Sequence, residues 1–566
     1  MPPPADQRPP RKDVRDDPSD GATPFPGAIS AAFTMVETER PPGARAAGTA
    51  PPRSPRSRNQ AQGLMRLPLF LLIWGVAAMS MYVPAIHALS VENYDVSRVF
   101  FYGGTLGLFV VTLLGIAMNN RQARNGTLGQ LLSLFATFAL LPLFLAVPMQ
   151  EGLRNTTFLN AYFDMVSALT TTGADIFPDP LRRSSSLHLW RGQVAWLGGF
   201  LMWVAAAAIL APLSLGGFEI TARGDAKRGS GMSGLMQVDQ VDPQTKLWRT
   251  TKTLAPIYGG LTLLVWIFLM MLGESTLTGL IHAMSVMSTS GISPVGGLDG
   301  SSAGWGGEFV LFCFMVFALS RTTFSSDTVL PGTQNLLQDP EVRIGLTLVA
   351  SVSVLIFARH WIAALEFQDT ENLSVALRAI WGTLFTAMSF LTTTGFESTD
   401  WQIARDWSGI GTPGLILLGL ALIGGGVATT AGGVKLLRVF ALYLNGLREM
   451  ERLVYPSSVS GAGARNRRIQ KDGAFIAWVF FMLFAMSLAL ISAILAALGS
   501  DFEQAIILSI ATLSTTGPLI EVAGDTPIRL VELGPWTKAV LCAAMILGRL
   551  EALAIVALLS PTLWRS

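Results

Sequence analysis

Four short runs of hydroxylated residues, each closed by glycine, carry the chemistry of this sequence. They read Ser167-Ala168-Leu169-Thr170-Thr171-Thr172-Gly173, Ser285-Val286-Met287-Ser288-Thr289-Ser290-Gly291, Ser389-Phe390-Leu391-Thr392-Thr393-Thr394-Gly395 and Ala511-Thr512-Leu513-Ser514-Thr515-Thr516-Gly517. A single Thr-Thr-Gly is a common loop tripeptide. Four copies in matching positions are not explained by loop composition. Main-chain carbonyls and hydroxyls are uncharged oxygen ligands, the shell that replaces water around a hard alkali cation. A carbonyl turned toward a shared axis can require φ > 0, which glycine adopts at little cost. A short helix before each run would aim its negative C-terminal end at the ion. The expected ligands are Thr171, Thr172, Gly173, Thr289, Ser290, Gly291, Thr393, Thr394, Gly395, Thr515, Thr516 and Gly517.

Composition states where such runs must sit. Of 566 residues, 51% are apolar and 14% are charged, with mean hydropathy +0.47. Soluble domains carry about 25% charged residues, so the chain reads as an all-α integral membrane protein. Ten apolar runs approach the roughly 20 residues that cross a bilayer: about 66–89, 99–118, 129–149, 189–216, 253–273, 304–322, 343–364, 411–442 (interrupted), 474–498 and 536–562. Each hydroxyl–glycine run lies between two of them, after a helix-like stretch too short to span. The layout is span, short helix, filter, span, repeated four times behind two leading helices. The corresponding segments are a Pro/Arg-rich disordered tail (1–64), two leading helices (65–125), and repeat 1 (126–222). A cytoplasmic loop with repeat 2 (223–325), repeat 3 (326–455) and repeat 4 (456–566) follow. Met65, just before the first apolar run, is an alternative start. Cations concentrate on alternate connections, among them Arg121, Arg124, Arg223, Arg321, Arg343 and Arg465, which puts both ends in the cytoplasm. Arg182, Arg183 and Arg405 run against this pattern.

The eighth run breaks at Gly424-Gly425-Gly426-Val427-Ala428-Thr429-Thr430-Ala431-Gly432-Gly433. Glycine costs about 1 kcal/mol per helical site relative to alanine, so the helix should end there. The stretch reads either as a close helix-packing face or as a movable plug lining a cavity. Arg549 lies within the last run, where an arginine costs about 2.5–3.5 kcal/mol. It either pairs with loop carbonyls for structure or stands beside an ion path. Asp164 and His282 on the short helices are expected to be structural. Asp175 and Glu397, just beyond two filters, are either solvated or concentrate cations at a mouth. Lys435 and Arg438 are expected on the inner face. Cys313 and Cys542 read as small buried hydrophobes, and the +2 net charge calls for no nucleic acid.

From about residue 65 onward the sequence resembles the TrkH family of pore subunits in the Trk/Ktr/HKT superfamily of potassium transporters. The resemblance rests on the four filters, on Gly424 to Lys435, similar to that family's intramembrane gating loop, and on Gly548-Arg549-Leu550-Glu551. It implies K⁺ uptake across a bacterial inner (plasma) membrane, a homodimer with one pore per subunit, and a cytosolic TrkA-type nucleotide-binding regulatory partner. It implies gating by Gly424, Gly425, Gly426, Thr429, Thr430, Gly432 and Gly433, with Arg549 as a barrier to cations. K⁺ is the expected bound ion, and no organic cofactor is expected. The tail and the bulky Val427-Ala428-Thr429-Thr430 depart from the family pattern.

The rival within the fold is Na⁺ permeation, or K⁺ transport coupled to Na⁺ or H⁺. Serine at the first filter glycine accompanies sodium preference in plant-like relatives, and Gly173 favours K⁺. A carboxylate relay is disfavoured, because the spans hold almost no acid besides Glu551. A membrane enzyme would need a catalytic set, and no H-E-x-x-H, G-x-S-x-G, Walker A or intramembrane aspartate pair is present.

Overall fold

The computed structural model describes residues 67–118, 127–211, 243–320, 339–364, 373–409, 414–454, 471–524 and 526–551. The chain divides into residues 1–60 and 61–566, and all described residues belong to the second unit. The expected disordered tail, the alternative start at Met65, the end of the last run beyond Glu551 and most loop cations lie outside the described residues. Arg121, Arg124, Arg223, Arg321 and Arg465 are among these.

The described residues are helical, without strands. After Leu69–Ser90 and Tyr94–Met118, one order of elements recurs four times. A long helix leads (Thr127–Leu153, Pro243–Met271, Pro340–Ala364, Lys471–Ala497) and a helix ending in a hydroxyl run follows (Phe158–Leu169, Thr276–Ser288, Leu373–Leu391, Phe502–Leu513). A returning helix closes each unit (Ser185–Ala205, Gly304–Met315, Gly414–Ile423, Pro535–Leu550). Local chemistry sets the first and second short helices: Thr157 and Ser275 accept from the amides of Asn160 and Thr278 as N-caps.

Eight helices among the described residues are long and apolar enough to cross a membrane. Seven coincide with expected runs. The eighth, Leu373–Leu391, precedes the third hydroxyl run and is longer than the short re-entrant stretch expected there. Runs 304–322 and 411–442 instead give shorter apolar helices, Gly304–Leu319 and Gly414–Ile423. Large apolar side chains such as Leu106, Phe109, Ile116 and Met486 point outward. Such an apolar exterior suits lipid, where each backbone group must be satisfied inside its own helix. Cys542 is buried as expected, but Cys313 is exposed on this apolar exterior.

Candidate cation pathway

Every hydroxyl run closes its helix with the same main-chain turn. The amides of Thr172, Ser290, Thr394 and Thr516 donate to the carbonyls five residues earlier, on Ser167, Ser285, Ser389 and Ala511. The amides of Thr171, Thr289, Thr393 and Thr515 donate three residues back, to Ala168, Val286, Phe390 and Thr512. This is a Schellman closure, whose left-handed residue is usually glycine. Here it is threonine four times: φ is 55° at Thr171, 53° at Thr289, 56° at Thr393 and 53° at Thr515. A β-branched residue in this region is an outlier, and strain of this kind persists only where surroundings over-determine it.

The first and third hydroxyls of each run bond to each other: Thr170 to Thr172 (2.8 Å), Ser288 to Ser290 (3.0 Å), Thr392 to Thr394 (3.0 Å) and Ser514 to Thr516 (3.2 Å). These hydroxyls therefore brace the turn. The carbonyls of Thr171, Thr289, Thr393 and Thr515 accept no hydrogen bond from any described residue, although all four residues are buried. Buried carbonyls are nearly always paired, so four equivalent unpaired ones mark a polar, ligand-accepting locus.

The four segments close into a ring. A Cβ on Gly173 would overlap the Ser290 carbonyl oxygen, and one on Gly291 the Thr394 carbonyl oxygen. One on Gly395 would lie 2.7 Å from Pro518, and one on Gly517 would overlap Ala174. The Gly517 amide donates to the Thr172 carbonyl at 2.6 Å, joining the fourth segment to the first. Gly173, Gly291 and Gly395 have positive φ, as expected, whereas Gly517 does not.

The Gly424–Gly433 stretch is non-helical, as its composition requires, and lies against this ring. Its ends are clamped together by Val434 N to Leu422 O (3.0 Å) and Lys435 N to Ile423 O (2.8 Å). Between them, the Thr430 hydroxyl donates to Met287 O at 3.3 Å, and Gly432 N donates to the Thr393 hydroxyl at 2.8 Å. A Cβ at Gly432 would overlap the Thr515 hydroxyl and the Ser514 carbonyl. The loop thus touches the second, third and fourth segments. Arg549 Nη1 donates to Thr430 O at 2.6 Å, while its Nε and Nη2 find no partner among the described residues. A small cavity of about 20 Å³ between Tyr258, Met287, Phe317 and Thr430 adjoins the loop.

Several charges stand differently from their sequence expectation. Lys435 and Arg438 are buried, not spread on an inner face. Lys435 donates to Ala431 O, and Arg438 pairs with Glu551 at 2.7 Å. Asp175 is not free at a mouth: it pairs with Arg183 (2.5 Å) and Arg191 (2.9 Å). Arg183, read from sequence as an outer cation, is buried in that cluster. Asp164 and His282 are structural as expected, Asp164 against Arg191 at 3.0 Å and His282 bonding Ser293 at 2.9 Å. The spans also hold acids that the sequence reading passed over. Glu308 accepts from Trp381, Ser398 and Thr399, and Glu341 accepts from Val427 N at 3.1 Å, which fastens the loop. A lone acid within the apolar run 304–322 was the available signal for Glu308.

Residues 309–565 match the TrkH family model, described as a cation transport protein. The chain is 28% identical over 470 residues to the Trk system potassium uptake protein TrkH of Halomonas elongata, covering 81% of this chain and 91% of that one. It is 29% identical to the TrkH of Escherichia coli over 73% of this chain and 80% of that one. The crystal structure of the potassium transporter TrkH from Vibrio parahaemolyticus superposes with a TM-score of 0.70 at 23% identity, over 88% of this chain and 99% of that one. The family match runs through the loop and the last helix, the relatives align over most of their length and the solved structure shares the fold, so the chain is similar to the TrkH family across most of its sequence.

Proposed function

We propose that this chain is a multi-pass protein of the bacterial inner membrane that takes up K⁺ through a four-segment selectivity filter. Its relatives carry the name potassium uptake protein. The observation that carries the reading is the set of four buried, unpaired carbonyls at Thr171, Thr289, Thr393 and Thr515, held in a closed ring. Carbonyl oxygens in this number substitute for a hydration shell. The ligands of K⁺ are these carbonyls with those of Thr172, Ser290, Thr394, Thr516 and the glycines. Gly424–Gly433 gates the inner side and Arg549 adds a positive barrier there. The protein acts as a homodimer with a TrkA-type nucleotide-binding subunit, a reading that rests on the family resemblance. Na⁺ permeation is not favoured, since Gly173 occupies the position where serine accompanies sodium preference. The test is a reversal potential measured on purified protein in opposed K⁺ and Na⁺ gradients. A potential near the K⁺ equilibrium value supports the reading, and one tracking Na⁺ overturns it.

The outer mouth adds a pH dependence. Glu397, half-buried in the loop beyond the third filter, has its carboxyl pushed up to about 7. Burial is the main cause, with the charges of Asp299 and Glu521 adding to it and Arg405 opposing. A carboxylate attracts cations only while ionised, so attraction is present above about pH 7 and lost as external pH falls through it. Initial Rb⁺ uptake into proteoliposomes should therefore drop between about pH 8 and about pH 6. In Glu397→Gln, where burial also holds the neighbouring Glu521 at about 7 and it still titrates, the drop should be distinctly smaller than in the parent. An unaltered pH profile in that variant would remove Glu397 from the path.

A further inference from the structure

Behind the first filter lies a cluster of four charges, three buried and Asp175 partly exposed, with no counterpart at the other three among the described residues. Arg191, on the returning helix Ser185–Ala205, is 1% exposed. Its Nη2 donates to Ala174 O at 3.0 Å and to Gly173 O at 3.3 Å. Its Nη1 donates to Asp175 at 2.9 Å, and its Nε lies 3.0 Å from Asp164. Arg183 binds the same two carboxylates, at 2.5 Å and 3.4 Å. Two arginines face two aspartates, so the cluster is neutral as a whole. No charged side chain among the described residues donates to the carbonyl of Gly291, Gly395 or Gly517.

A guanidinium is a rigid planar fork, and each donor fixes the direction of the group that accepts it. Two successive carbonyls bonded to one nitrogen cannot rotate independently. Arg191 therefore holds the peptide plane between Gly173 and Ala174, directly where the first filter meets the second through Ser290. The two aspartates hold the guanidinium in turn and cancel its charge, so the bond is made without placing a net cation beside the ion path.

We propose that Arg191 is a positioning residue: by pinning the Gly173 and Ala174 carbonyls, it sets the outermost ligand ring and hence the preference for K⁺ over Na⁺. This rests on the filter reading above. The cluster acts through the filter backbone and touches no ion. Its neutrality separates positioning from charge, because a purely electrostatic role survives any substitution that keeps the balance.

The test uses three variants in proteoliposomes, with K⁺/Na⁺ permeability ratio and melting temperature read on each. Arg191→Lys keeps the charge but offers a compact ammonium that cannot fork between carbonyls and carboxylates. Asp164→Asn with Arg191→Gln keeps neutrality, leaves the Arg183–Asp175 pair intact, and guards against misfolding of a single variant with an unpaired buried carboxylate. Both should lower the ratio at least about threefold, since each loses a charge-assisted hydrogen bond to the filter. A parental ratio in either folded variant, whatever its melting temperature, overturns the proposal, because balance or bulk would then suffice. Gly173→Ser is the third variant. If it shifts the ratio and the Arg191 variants do not, only the positioning role fails. If it too leaves the ratio unchanged, the filter assignment itself fails.

Discussion

Gly173→Ser lowers the K⁺/Na⁺ permeability ratio by about tenfold, equivalent to about 1.4 kcal/mol of discrimination. Gly173 has φ of +73°, where an L side chain is strained, and a Cβ there overlaps the carbonyl oxygen of Ser290. The substitution therefore perturbs two filters at once. The first must leave its left-handed geometry, and the second must swing a carbonyl away from the ring. A carbonyl turned off the axis is a lost ligand, and the gap is filled by water. Na⁺ holds its water more tightly than K⁺, so a hydrated, looser ring favours it relative to the parent. Removing one hydroxyl should be milder. Thr172→Ala loses only the 2.8 Å bond to Thr170, and the main-chain turn still holds through Ser167. Reversal potentials of the two variants, at matched melting temperature, check the ordering. A well-folded Gly173→Ser protein with the parental ratio removes the filter assignment.

Much of this architecture is legible in the chain because lipid imposes a simple rule. Apolar runs must form helices, and a hydroxyl–glycine run cannot extend one. The break at Gly424 was legible for the same reason, since five glycines in ten residues hold a helix poorly. The left-handed threonines were not. Nothing local recommends Thr171, Thr289, Thr393 or Thr515 for positive φ, and the conformation is imposed by the turn and its neighbours. Nor does sequence spacing reveal that Asp175 is spent on Arg183 and Arg191, or that Arg438 reaches 113 positions on to Glu551. The first two pairs depend on how the loop within repeat 1 folds back on its returning helix, and the last joins repeats 3 and 4, which meet only in the folded bundle. Of the two sequence readings of Arg549, the pairing with a loop carbonyl is the one the contacts display. It bonds a loop carbonyl, and that loop is the one lying on the ring.

Shortening the loop by deleting residues 428–431 should raise the basal Rb⁺ influx of the isolated protein by about tenfold. The closed arrangement rests on a few polar contacts: Thr430 to Met287, Gly432 to Thr393 and Arg549 to Thr430. At a net of about 1 kcal/mol each, they bias the loop toward the ring by about 3 kcal/mol, small enough for a regulator to overcome. The deletion removes Thr430 itself and leaves too little chain to reach the ring from the clamp at Leu422 and Val434. Arg549→Gln should act in the same direction through a second route. It drops the bond to Thr430 and also removes the buried positive charge of the proposed barrier, which should ease the passage of any cation. Both variants should depend less on a cytosolic regulator, because the state it would favour is already populated. A helix-packing role for Gly424–Gly433 predicts the opposite pattern, a lower melting temperature and no gain in flux. Initial uptake rates at matched protein amounts, with gel filtration as the folding check, separate the two. If both variants are monodisperse and conduct no faster than the parent, the segment is a packing surface and Arg549 its anchor.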